Sequence, residues 1–126
     1  MGQRLAGMRV LVVEDEFILA LALEDILIDE GCVVVGPFSR VSEALAAATE
    51  EQVDLAVLDV NVAGEKVFPV AEVLDDRGVP FILLTGYGDK VIPHDRPHWQ
   101  ACEKPYRNDQ LIDALVAKVS MGADSS

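Results

Sequence analysis

Residues 10–17 read VLVVEDEF, an aliphatic run that stops on three consecutive acids, Glu14, Asp15 and Glu16. Val10 to Val13 have the unbroken apolar, β-branched character of a strand covered on both faces. Two carboxylates about 4 Å apart repel by roughly 4 kcal/mol at an effective dielectric near 20. A buried strand ending in adjacent acids therefore needs full solvation of those acids or a positive charge among them.

Working outward, runs of the same kind recur. MRVLVV (8–13) is followed by CVVVG (32–36), DLAVLD (54–59), PFILLT (80–85) and the weaker WQACEK (99–104). Between them lie helical patterns. Residues 17–30 carry Ile18, Leu19, Leu23, Ile26 and Leu27 at helical spacing and stop at Gly31, a C-terminal cap. Ser39 is the expected N-cap of a second helix bearing Val41, Leu45 and Ala48. A third helix presents Val67, Val70, Ala71 and Leu74 and ends at Gly78, and a last one presents Leu111, Leu115 and Val119. Pro93 and Pro97 fall where another helix belongs, so a short or disordered fourth helix is expected there.

Alternating strands and helices imply a parallel sheet with right-handed crossovers. Five units in this length suit a flavodoxin-like, doubly wound five-stranded parallel sheet of order 2-1-3-4-5, whose ligand edge lies where strands one and three part. The chain of 126 residues fits one such domain, read as 8–120, with 1–7 an N-terminal extension and 121–126 a disordered tail.

A formal net charge of −12 argues against nucleic acid and against an anionic membrane surface as partners. No apolar run approaches a membrane span, and the first residues lack the apolar core of a signal peptide, so a cytoplasmic location is expected. Cys32 and Cys102 fit no metal-ligand spacing and read as buried free thiols.

In the expected topology Glu14 and Asp15 end strand one, Asp59 ends strand three, Thr85 ends strand four and Lys104 ends strand five. Three carboxylates, a hydroxyl and an ammonium then meet at one edge. A hard divalent cation with oxygen ligands, Mg²⁺ foremost, relieves the crowding of the acids. Taken singly, Glu14 and Asp15 could be a solvated helix start, Thr85 an ordinary β-former and Lys104 a surface lysine. His94 and His98 read as surface residues, and Phe81 and Trp99 as packing residues.

VVEDE, LAVLDVNVAGE, LLTGYG and CEKPY, in this order and spacing, resemble the receiver domains of bacterial two-component response regulators from Arg9 to about Val119. The resemblance implies that Asp59 is the phosphoacceptor for a histidine kinase. It also implies that Glu14, Asp15, Asp59 and the backbone carbonyl of Asn61 hold Mg²⁺, that Thr85 and Lys104 contact the phosphoryl oxygens, and that Lys104–Pro105 is cis. The strand-five aromatic that many receivers use as a switch is replaced here by Ala101. PFILLTGYG is instead similar to the signature of the FATGUY receivers, although Leu83 and Leu84 depart from it. Members of that group are often single-domain proteins of alphaproteobacteria served by HWE-type kinases. Gly86 and Tyr87, with the 86–98 loop, are then the expected switch.

The function expected on this resemblance is that of a stand-alone receiver, a phosphoryl acceptor and not a conventional enzyme. It is expected to be a monomer or weak homodimer that signals to an unknown downstream protein or drains phosphate from a kinase. A degenerate receiver that binds a partner without phosphorylation is the alternative. A haloacid-dehalogenase-type phosphatase is disfavoured, because that chemistry wants its nucleophile on strand one with a second acid two residues on, where Asn61 stands after Asp59.

Overall fold

The aliphatic runs become adjacent parallel strands of one sheet in the computed structural model, which describes residues 4–86 and 92–124. The order is β1 (Arg9–Val13), α1 (Phe17–Asp29), β2 (Val33–Phe38), α2 (Val41–Glu50) and β3 (Leu55–Asp59). There follow β4 (Asn61–Val62), β5 (Glu65–Lys66), α3 (Phe68–Asp76), β6 (Phe81–Thr85), β7 (Ala101–Glu103) and α4 (Asn108–Asp124). The main sheet runs β2-β1-β3-β6-β7, all pairs parallel, which is the expected 2-1-3-4-5 order of its five strands.

Strand alternation divides the core. Leu11, Val13, Ala56, Leu58, Phe81 and Leu83 point to the side covered by α2 and α3, where Val41, Ala48, Val70 and Leu74 meet them. Val10, Val12, Leu55, Val57, Ile82 and Leu84 point to the side covered by α1 and α4, against Leu23, Leu27, Leu111 and Leu115. Both faces of the central strands are dry, which is why their sequences do not alternate with polar residues. Cys32 and Cys102 are buried free thiols, as read.

Several details depart from the sequence reading. In α1 the buried residues are Ala20, Leu23 and Leu27, while Ile18 and Leu19 are exposed. That helix is apolar nearly all round, so spacing alone could not choose the buried face. Helix α2 takes Arg40 as N-cap with no side-chain capping bond, so Ser39 is not the cap. Burial of Val41 at its first position sets the start. Residues 121–124 continue α4 instead of forming a disordered tail. Within the expected N-terminal extension, Leu5 is only 1 % exposed and joins the core under α1 and α4, and Arg4 makes a surface ion pair with Asp113 at 2.8 Å.

Among the described residues, no helix lies between β6 and β7. The chain there makes turns closed by Arg96 N–H to Pro93 O and Trp99 N–H to Arg96 O, in keeping with the two prolines. Trp99 fills the space beneath, buried edge-on to Phe81 with ring centroids 5.3 Å apart. Ala101 is half-buried over the same core.

The β4–β5 hairpin was not anticipated. Asn61 pairs with Lys66 and Val62 with Glu65, leaving Ala63 and Gly64 as a two-residue loop with φ of +50° and +83°. Positive φ at both loop residues is the geometry that matches strand twist in tight hairpins.

Candidate functional site

Register brings the site together. Val13 pairs with Leu58, so Glu14 and Asp15 leave β1 beside Asp59 at the end of β3. Asp59 pairs with Leu84, which places Thr85 alongside, and Thr85 pairs with Glu103, so that Lys104 follows at the same edge. Backbone bonds hold these ends in place: Lys104 N–H donates to Thr85 O at 2.8 Å and Glu14 N–H to Phe38 O at 2.9 Å. The latter contact depends on Gly36, where φ is +110° and an added Cβ would lie 2.9 Å from Val12 O.

Glu14, Asp59 and Thr85 are the buried polar residues of the described chain. One carboxylate oxygen from each of Glu14, Asp15 and Asp59 lies within 4.8 Å of the others. The ammonium of Lys104 donates to Asp59 Oδ1 at 3.1 Å and Glu14 Oε2 at 3.3 Å. Glu14 Oε1 accepts from Glu16 N–H at 3.1 Å, and Asp15 Oδ2 accepts from Ala63 N–H at 2.9 Å. Lys104–Pro105 is cis, as the resemblance implied.

Burial pushes the Glu14 carboxyl up to about 7, helped by neighbouring Asp59 and opposed by Glu16 N–H and Lys104. Burial also raises Asp59, though Lys104 pulls it back. Burial alone would lower Lys104, but Asp59 and Glu14 outweigh it and raise the ammonium. One ammonium thus pairs with two of the three clustered carboxylates, and the surplus negative charge sits partly out of water.

That surplus is the test of whether a cation fits. The donors are hard oxygens from a few carboxylates, clustered at an open sheet edge. This is the set a divalent ion such as Mg²⁺ accepts while keeping waters or a substrate oxygen in its shell. Asp15 and Asp59 are placed to hold such an ion, with Glu14 joining the cluster.

The expected site residues Glu14, Asp15, Asp59, Thr85 and Lys104 are brought to one edge. Asn61 opens β4 two residues beyond Asp59, and its side chain accepts a bond from Lys66 Nζ at 2.6 Å. Gly86 follows β6 at the surface, whereas Tyr87 lies outside the described residues. His98 is exposed, as read, and pairs with Asp75 at 3.1 Å. What sequence reasoning missed is Ala63, which enters through its backbone. The available signal was the glycine of the Ala63–Gly64 step, between the pairs Asn61–Val62 and Glu65–Lys66.

Among known proteins, the family model described as the response regulator receiver domain matches residues 10–116. Transcriptional regulatory protein PdtaR of Mycobacterium tuberculosis is 28 % identical over 116 residues, covering 89 % of this chain and 57 % of that protein. DNA-binding response regulator MtrA of Mycolicibacterium smegmatis is 40 % identical over 122 residues, covering 92 % and 52 %. The chain therefore spans about half the length of the curated relatives it matches. Of solved structures, SdrG of Sphingomonas melonis superposes with a TM-score of 0.77 at 37 % identity, over 90 % of this chain and 97 % of that one. SdrG has also been solved in a BeF3-activated conformation.

Proposed function

We propose a function from one established premise: the chain belongs to the response regulator receiver domain family. On that premise Asp59 is the phosphoacceptor of a two-component system, and the observation that carries the reading is its setting. Asp59 is buried, held by Lys104 at 3.1 Å, and clustered with two further carboxylates at the end of the central strand.

An oxygen of Asp59 attacks the phosphorus of a kinase phosphohistidine. The new O–P bond forms as the N–P bond breaks, and the bonding pair leaves with the imidazole nitrogen, which becomes neutral imidazole on taking a proton. Lys104 releases Asp59 Oδ1 and pairs with a phosphoryl oxygen, and the Thr85 hydroxyl donates to another. When bound by Glu14, Asp15, Asp59 and the Asn61 carbonyl, Mg²⁺ supplies charge neutralisation on the transferring group. The protein's own share is positioning. It turns over its own phosphoaspartate and is not a conventional enzyme.

The donor is a histidine kinase, of the HWE type if the FATGUY resemblance holds, and the phosphorylated form changes its contact with a downstream protein or drains the kinase. Gly86 and Tyr87 report the phosphorylated state in place of a strand-five aromatic. The BeF3-activated form of SdrG supports a phosphoryl-mimic response in a relative of this size. A cytoplasmic location goes with the proposed phosphotransfer from a histidine kinase; among the described residues no helix is long and apolar enough to cross a membrane.

The deciding experiment is phosphotransfer from autophosphorylated HWE-type kinases, with Mg²⁺ or with chelator. Label should reach the unaltered protein only with Mg²⁺ and should not reach Asp59→Asn. An Asp59→Asn protein that keeps full function in cells would instead establish the phosphorylation-independent module.

A further inference from the structure

Ala63 is the one described non-glycine residue with positive φ, +50°, and it stands at the tip of the β4–β5 hairpin beside the acidic cluster. A left-handed conformation costs a residue with a Cβ about 1 kcal/mol. The hairpin keeps it nonetheless, and in that conformation the Ala63 N–H points out of the turn and donates to Asp15 Oδ2 at 2.9 Å. Lys66 Nζ to Asn61 Oδ1, at 2.6 Å, adds a side-chain bond across the open end of the same hairpin.

We propose that this hairpin sets the site's choice of metal: the Ala63 N–H occupies one oxygen of Asp15 and leaves Asp15 a one-oxygen ligand. The inference rests on the metal-dependent reading of the site given above. Its chemistry follows from the two commonest hard cations. Ca²⁺ takes six to eight oxygens and readily uses a carboxylate through both, whereas Mg²⁺ takes an octahedral shell and usually one oxygen from each carboxylate. Turning both oxygens of Asp15 squarely to one ion would pull Oδ2 off the line of the Ala63 N–H, so the bond favours ligation through one oxygen. Glu14 is restrained in the same way, since its oxygens accept from Glu16 N–H and from Lys104. The site therefore offers few oxygens in fixed directions, which suits the smaller ion and starves the larger. Ala63 acts through Asp15 and is a positioning residue.

The test removes the donor and keeps the side chain. Replacing Ala63 with lactic acid in the full-length chain turns the Val62–Ala63 amide into an ester that has no N–H. Calorimetric titration with Mg²⁺ and with Ca²⁺ then gives both dissociation constants for each protein. Loss of an outer-shell partner typically costs about tenfold to a hundredfold in metal affinity. That cost falls on Mg²⁺ and not on Ca²⁺, so the ratio of the Ca²⁺ to the Mg²⁺ dissociation constant should fall about tenfold or more in the ester. An unchanged ratio, including one in which both ions weaken alike, overturns the proposal. Hydrogen exchange of the Ala63 amide in the unaltered protein provides a second measurement that does not depend on the ester folding. The amide should be protected with and without Mg²⁺, and exchange at the rate of a free amide overturns the proposal. Unaltered protein that binds no Mg²⁺ overturns the metal-dependent reading itself, whereas normal Mg²⁺ binding with an unchanged ratio overturns this inference alone.

Discussion

The ammonium of Lys104 lies 3.1 Å from Asp59 Oδ1, and the same nitrogen reaches Glu14 Oε2 at 3.3 Å. One cation thus holds together a buried cluster that carries more negative charge than it can match. Substituting either partner should move stability in opposite directions. Lys104→Met should destabilise the metal-free protein by roughly 1–2 kcal/mol. That is less than a fully buried pair would lose, because the lysine side chain keeps 26 % of its surface in water. Urea unfolding at pH 8 with chelator measures it, and a stability equal to that of the unaltered protein would show that the ammonium does not hold the acids.

Asp59→Asn should do the reverse. It removes one of the crowded carboxylates while keeping the shape of the side chain, so the metal-free protein should gain about 1 kcal/mol, a common size for relief of a functional strain. The gain should shrink as Mg²⁺ is added, since the ion already relieves the unaltered site. Paired unfolding curves with and without Mg²⁺ check both halves of this expectation.

The fold and the site were legible for the same reason. Strand runs such as VLVV and LAVLD are apolar at every position because helices cover both faces, and the acids that end them mark the edge where the sheet opens. Order and register then follow from the crossover rule, which carries Glu14, Asp15, Asp59, Thr85 and Lys104 to one place. Less local features were not legible. The exposed face of α1 also carries large apolar residues, Phe17, Leu21 and Ile28 among them, so Ile18 and Leu19 read as core. Val41 fixed the start of α2 by burial, which a capping rule applied to Ser39 could not see. The hairpin at Ala63 lacks the asparagine-glycine pair that usually announces such a turn, and its contribution is a backbone N–H that no side-chain pattern records.

Mg²⁺ should stabilise the folded protein by mass action. An ion present at a hundred times its dissociation constant adds about 2.7 kcal/mol if it binds only the native state. The unfolding temperature should therefore climb with Mg²⁺ concentration, and the climb should be largely lost in Asp15→Asn. An equal rise in that variant would place the ion elsewhere on this acidic chain.

Trp99 should matter to stability more than its position in a loop suggests. It is buried, edge-on to Phe81 at 5.3 Å, with the Arg96 guanidinium 5.7 Å from its ring centre. Trp99→Ala should cost about 3–5 kcal/mol, the usual range for removing a large buried aromatic. Trp99→Phe should recover most of that loss. Because Trp99 is the only tryptophan, circular dichroism in urea is the suitable probe. A loss below about 1 kcal/mol would mean that the 92–99 segment is not anchored through this ring.

The buried thiols give the chain a predictable response to alkali. Burial, with a smaller contribution from nearby Glu30, pushes the Cys32 thiol up to about 11 from an ordinary 9.0, and burial also raises Cys102. A group whose pKa is raised on folding contributes stability that is fully present below the unfolded value and lost as pH rises through the folded one. Stability should therefore be unaffected by these thiols up to about pH 9 and should fall between about pH 9 and 11, as the unfolded thiols ionise first. The same burial keeps both sulfurs protonated and covered at pH 8. Reaction with a thiol-selective disulfide reagent should be slow in buffer and rapid in urea, while a Cys32→Ser protein should lose part of the alkaline sensitivity. Fast reaction of both thiols in buffer would show that the chain opens around them far more often than their burial implies.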